Sequence, residues 1–117
     1  MSEYPFFDKL QSLLDQPLYD IFGHIPNYDD TLVYELERLQ KYKTITGKKN
    51  RYSAKIIIYF STLKSKSGHL SKALQILKTL ENYNATAVIE METIPMVINA
   101  AEFNVSRFEL SFDEFIF

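Results

Sequence analysis

Five consecutive apolar residues, Ile56-Ile57-Ile58-Tyr59-Phe60, constrain this chain more than any other feature. All are β-branched or aromatic, the types that fit a pleated surface. Side chains alternate between the two faces of a strand, so an unbroken apolar run buries both faces at least in part. Residues 53–62 therefore predict a strand, and the rest of the chain must cover it.

The remaining elements follow from periodicity. Phe6, Phe7, Leu10, Leu13 and Leu14 recur at helical spacing, and Pro17 ends that run. Residues 18–30 contain Gly23, Pro26, Asn27, Asp29 and Asp30 and predict an irregular connection anchored by Tyr19 and Phe22. Residues 32–39 fit two templates: Leu32, Leu36 and Leu39 suit a helix, whereas Leu32, Tyr34 and Leu36 alternate with Glu35 and Glu37 as in a strand. The strand is the reading adopted. Residues 41–50, basic and carrying Gly47, predict a hairpin or exposed loop. Leu70, Ala73, Leu74, Leu77 and Leu80 form one apolar stripe of a second helix, with Ser67 as its N-cap and Lys72 and Lys78 on the wet side. Residues 87–93 predict a strand that Pro95 interrupts. Residues 106–112 predict the last strand, with Phe108, Leu110 and Phe112 on one face and Arg107, Glu109 and Ser111 on the other. The expected fold is α+β: a single sheet of about four mainly antiparallel strands with two helices packed on it. At 117 residues, positions 1–117 make a single domain able to bury a core without staples.

Charge is segregated along the chain. Between residues 38 and 80 there are eleven basic residues and no acidic one, while the flanks hold all fifteen acidic residues against Lys9 and Arg107. Three readings compete. The fold could set acidic flanks beside the basic middle and neutralise both across the sheet. A positive face could meet the negative face of another copy. The basic segment 38–80 could bind phosphates, as in a small phage- or plasmid-encoded nucleic-acid-binding or inhibitor protein, although a net charge of −2 argues against strong DNA binding. Tyr42 and Tyr52 interleave with Lys41, Lys43, Lys49 and Arg51, a pattern suited to stacking on single-stranded bases or to packing at an oligomer interface.

Little in the sequence points to catalysis. There is no cysteine, hence neither disulfide nor thiolate metal site, and three scattered glycines cannot build a phosphate loop. His24 and His69 fall in different expected loops without metal-ligand spacing, and His69 reads as solvated. Glu90 and Glu92 share a strand face, which suits a solvated edge better than a pKa-shifted pair. Asp29-Asp30 reads as turn chemistry. Neither an enzyme activity nor a cofactor nor a metal is expected. No run approaches the ~20 apolar residues needed to span a bilayer, and the first residues lack the regions of a signal peptide, so a soluble intracellular or virion-borne protein is expected. Phe112, Phe115, Ile116 and Phe117 put an apolar load near the last strand that should close over the core or dock on another subunit.

Pro17-Leu18-Tyr19-Asp20 with His24-Ile25-Pro26 ahead of Leu32-Val33-Tyr34 resembles the small tail completion and tail terminator proteins of long-tailed bacteriophages. Tyr52-Ser53-Ala54-Lys55-Ile56-Ile57-Ile58-Tyr59-Phe60-Ser61-Thr62 resembles their next strand, which commonly ends in an aromatic followed by Ser. The helix over residues 70–80 and the closing Arg107-Phe108-Glu109-Leu110-Ser111-Phe112 strand match in order and spacing. The resemblance spans most of the chain and rests on patterns of residue type; residues 83–103 do not match. It implies a structural virion protein that forms a homo-oligomeric ring at the head-proximal end of the tail. There it would end tube growth, join the head, contact the tail-tube and head-connector proteins, and touch DNA only transiently. It would work in the host cytoplasm during assembly and then in the virion, without a membrane partner. On this view Lys41, Lys43, Lys48, Lys49 and Arg51 are candidate assembly or lumen contacts, and Glu90, Glu92, Phe115 and Phe117 are candidate subunit-interface residues.

Overall fold

The computed structural model describes residues 5–43, 50–83 and 88–115. The elements run α1 (Pro5–Leu14), β1 (Leu18–Asp20), β2 (Thr31–Lys43), β3 (Asn50–Leu63), α2 (His69–Tyr83), β4 (Val88–Ile98) and β5 (Ala101–Phe115). Among the described residues the fold is α+β, one sheet with two helices, as the periodicities predicted. The sheet has five strands in the order β1-β2-β3-β5-β4 and is mixed, because β1 runs parallel to β2. The other three pairings are antiparallel.

The strand over residues 53–62 is the one between β2 and β5, where both neighbours hide it. Ile56, Ile58 and Phe60 point to the helices and are fully buried, and Ile57 on the opposite face is 3% exposed. The helix-side core joins them to Leu18, Leu32, Ala54, Phe108 and Leu110 from the strands, Leu10 from α1, and Ala73, Ile76 and Leu80 from α2. Burying each large side chain of this kind contributes about 1.5–3 kcal/mol, so the helix side carries most of the stability.

Several expectations need correction. The sheet has five strands rather than four, because residues 18–20 form β1 inside the expected irregular connection. Three residues carry no readable alternation; their register is fixed by pairing with Leu32, Val33 and Tyr34 and by the Gln11 side chain, which accepts the Leu18 N–H at 2.9 Å. Phe22 anchors nothing and is 87% exposed. On α2 the buried face is His69, Ala73, Ile76, Leu77 and Leu80, while Leu70 and Leu74 lie outside. Gly68, at φ 88°, precedes the helix and its carbonyl accepts the Lys72 N–H, so the N-cap is Gly68 and not Ser67. Lys72 is not simply wet: it pairs with Asp30 and lies over the Phe60 ring. Pro95 does not interrupt β4, which stays in register through its pairing with Asn104. An edge strand permits this, because the nitrogen that lacks a hydrogen can face away from the sheet.

The β4–β5 connection is a two-residue hairpin turn at Asn99 and Ala100, both at positive φ, 49° and 65°. That geometry suits Asn but is strained for Ala.

Candidate functional site

Both helices pack on one face of the sheet; the other face is covered only in part. The connection over residues 21–30 crosses one end of it. Ile21, Ile25 and Tyr28 from this connection, with Val33, Tyr59, Ser61, Met96, Ile98 and Val105 from the strands, line a cavity of about 320 Å³. The loop is fastened at its far end. The Ser61 hydroxyl donates to the Tyr28 carbonyl at 2.6 Å, the Leu63 N–H donates to Asp29 Oδ1 at 3.1 Å, and Tyr28 meets the Phe103 ring edge-on. Lys66 also pairs with Asp29 and holds its carboxyl below the usual range, helped by the Leu63 N–H. Beside the cavity the apolar surface is open: Ile94 and Met96 on β4 are 38% and 42% exposed, whereas Val97, 69% exposed, is on the opposite face of the strand.

The other end of the open face is charged. Lys55 lies 2.5 Å from Glu109 and 3.4 Å from Glu37, the residue at the register shift in β2. Arg107 donates to Glu109 at 2.8 Å. These two cations, Lys55 first, hold the Glu109 carboxyl below its ordinary value, and Glu109 raises Lys55 in return. The Tyr59 hydroxyl donates to Glu35 at 3.2 Å; burial raises its pKa, and a hydrogen bond with Arg107 opposes the rise. Glu90 and Glu92 continue this zone onto β4, in register opposite Glu109 and Arg107, and both are exposed.

Of the basic residues named from sequence, Lys41, Lys43 and Arg51 lie at the far end of the sheet. Lys41 pairs in register with Tyr52, Tyr42 with Arg51, and Lys43 with Asn50, so β2 and β3 run as a hairpin ladder toward residues 44–49. Lys48, Lys49 and Phe117 lie outside the described residues, and Phe115 is the last residue of β5, in register with Tyr52. The structure thus brings Glu90 and Glu92 together with a charged zone that sequence reasoning did not assemble, and sets them apart from Lys41, Lys43 and Arg51. It also settles part of the charge question. Lys55, Lys64, Lys66 and Lys72 of the basic segment all pair with acidic residues from its flanks, namely Glu37, Glu109, Glu102, Asp29 and Asp30. Neutralisation within the fold accounts for much of the segregation.

One polar cluster escaped the sequence reading. His69 is 6% exposed, not solvated. Its Nδ1 hydrogen-bonds the Thr62 hydroxyl at 2.8 Å, its Nε2 hydrogen-bonds Ser106 Oγ at 2.7 Å, and Ser106 Oγ meets Thr93 Oγ1 at 2.8 Å. The imidazole stacks on Phe60 with centroids 5.1 Å apart. This chain ties the start of α2 to β3, β5 and β4. Burial lowers the His69 pKa, and the positive end of the helix acts in the same sense. A serine within hydrogen-bond reach of a histidine resembles a nucleophile and its base. Ser106 is fully buried, however, so no substrate reaches it, and the cluster is a structural pin. The available signal was the spacing of His69 from Ala73, Ile76 and Leu80, which puts it on one face with them. Among the described residues no group of His, Asp or Glu is arranged to hold a metal ion, and no helix is long and apolar enough to cross a membrane.

No family model matches this chain, and no curated protein matches it either.

Proposed function

We propose that this chain is a self-associating structural protein without catalytic role or cofactor. Its place is the one the tail-terminator resemblance implies: a ring at the head-proximal end of a phage tail that ends tube growth and receives the head. The single observation that carries the self-association is the uncovered face, where Ile94 and Met96 stand exposed beside an apolar cavity of about 320 Å³. Exposed apolar surface gathered at one place marks an interaction site. A ring is the closed form of a contact in which one patch meets a different patch on the next copy. Pro95, Glu90 and Glu92 guard the β4 edge against strand addition, which favours association through the face. The tail-tube and head-connector proteins are the further partners on this reading, and contact with DNA is transient. The internal pairing of Lys55, Lys64, Lys66 and Lys72 weakens the case for a nucleic-acid-binding surface.

The test is native mass spectrometry across protein concentration, with and without a short DNA duplex, at two ionic strengths. The expected result is a discrete closed oligomer indifferent to DNA, which also caps isolated tail tubes. Reversing Lys48, Lys49 and Arg51 to Glu should impair assembly while circular dichroism stays unchanged. A monomer at every concentration that takes up DNA, and releases it as salt rises, would replace this reading with the nucleic-acid one.

A further inference from the structure

We infer that the apolar cavity on the open face takes the Phe22 side chain of a second copy of this chain; this deepens, and rests on, the self-association reading. Of the large apolar side chains that stand exposed among the described residues, Phe22 is the most exposed, at 87%, and the only aromatic one. A lone exposed apolar residue needs no explanation by itself. Phe22 differs in how firmly it is held out. Its N–H donates to Asp20 Oδ1 at 3.0 Å, and the Gly23 N–H donates to the Asp20 carbonyl at 2.9 Å, so the turn is closed twice by its first residue. The Ile21 N–H donates to the Tyr34 carbonyl at 2.9 Å and ties the same turn to β2. The ring is thus presented on a fixed backbone, which leaves little ordering entropy to lose when it is buried. Ile21 and Ile25, on either side of it in the connection, line the cavity of their own copy; Phe22 does not.

The cavity has the size and chemistry for that ring. At about 320 Å³ it exceeds the roughly 150 Å³ that suffices for one benzene molecule. None of its lining residues is charged, and two of its three hydroxyls are committed elsewhere, Ser61 to the Tyr28 carbonyl and Tyr59 to Glu35. A charged guest would lose its hydration there without return. A phenyl ring gives up no hydrogen bond, and it meets Val33, Val105 and the half-exposed Met96, whose sulfur favours contact with aromatic rings. Phe22 and the cavity are different patches of one copy, so the contact can repeat from copy to copy and close a ring.

The chain has no tryptophan, so F22W places a single fluorescent reporter on the knob. Its emission and acrylamide quenching are read on the full chain across concentration, beside sedimentation velocity. As the oligomer forms, emission should move to shorter wavelength and quenching should fall. F22S should raise the apparent dissociation constant about 30-fold or more. Circular dichroism should not change, because this side chain stands in solvent in its own copy. M96R, at the cavity mouth, should weaken association likewise, and F22W/M96R should lose the emission shift. An equimolar mixture of F22S and M96R chains should pair, each supplying the half that the other lacks. An oligomer whose reporter stays solvated, or one unmoved by F22S, would overturn the inference while leaving self-association standing. A reporter already buried in the monomer would overturn it too, since the ring would then fill its own cavity. If M96R does not fold, F22W and F22S decide. A wild-type chain that stays monomeric at every concentration refutes self-association and this contact together. A closed dimer that shows the shift refutes the ring and keeps the contact.

Discussion

The two faces of the sheet are built from the same strands and differ in what they face. On the helix side, Ile56, Ile58, Phe60, Phe108 and Leu110 are fully buried beneath α1 and α2, and the polar groups there pair with one another through His69. On the open side, Ile57, Val33 and Val105 are nearly as buried, yet they are covered by a loop and by neighbouring side chains, with a cavity between. Burial alone does not separate the two. Continuity does: the helix side is one packed cluster, whereas the open side is an apolar end and a charged end with exposed Ile94 and Met96 at its margin. Stability is concentrated on one face, and surface available for association on the other.

Substitutions can break that comparison. Phe108→Ala should cost about 3–5 kcal/mol in chemical denaturation, by lost transfer energy and a cavity that rigid neighbours cannot fill. Met96→Ala, 42% exposed on the open side, should cost no more than about 1 kcal/mol by the same measurement. Equal losses would mean that the open face is as tightly packed as the covered one.

Next in size is the pin between α2 and the sheet. His69→Ala removes the partner of two buried hydroxyls and should cost about 2–4 kcal/mol. The same residue sets a pH dependence. With its pKa lowered in the fold, His69 stays neutral while the unfolded chain takes up a proton below the ordinary imidazole value of about 6.5. Its contribution is therefore complete above that pH and is lost as pH falls through the lowered folded value. Urea midpoints measured from pH 7.5 to 5 should decline in the wild type, and the decline should be absent in His69→Phe. Asp29 and Glu109, also lowered, lose their contributions only at more acid pH, in the carboxylate range.

The smallest effect sharpens the comparison at the far end of the β4–β5 hairpin. Ala100→Gly should raise stability by about 0.5–1 kcal/mol, because glycine adopts the φ of 65° without strain. Thermal unfolding would show it as a modest increase in Tm.

How much of this was legible depended on whether the determining contact was local. The apolar run through Phe60 and the alternation at Phe108 and Leu110 announced β3 and β5, because each residue's burial is repeated by its neighbours two positions away. β1 stayed hidden, since its three residues become a strand only by pairing with residues fourteen positions on. The α2 stripe was displaced because Leu70 and Leu74 fit a helical face as well as Ile76 does; only the position of the sheet decides which face is covered. His69 was misread for a related reason. Its partners Thr62 and Ser106 come from two other strands, and nothing near it in sequence predicts them. The charge pairing was foreseen in kind but not in partner, and the zone around Glu109 needed the register of four strands to be seen.

The strand order has a consequence for how the chain is made. β1, β2 and β3 are consecutive, while β5, which closes the far side of β3, follows only after α2 and β4. As the chain leaves the ribosome, its most apolar strand therefore waits with one edge bare through the synthesis of some forty further residues. Until β5 arrives, that edge can be templated by any other extended segment. The seam between β3 and β5 is thus both the last part of the sheet to be completed and the part whose delay exposes the nascent protein to mispairing.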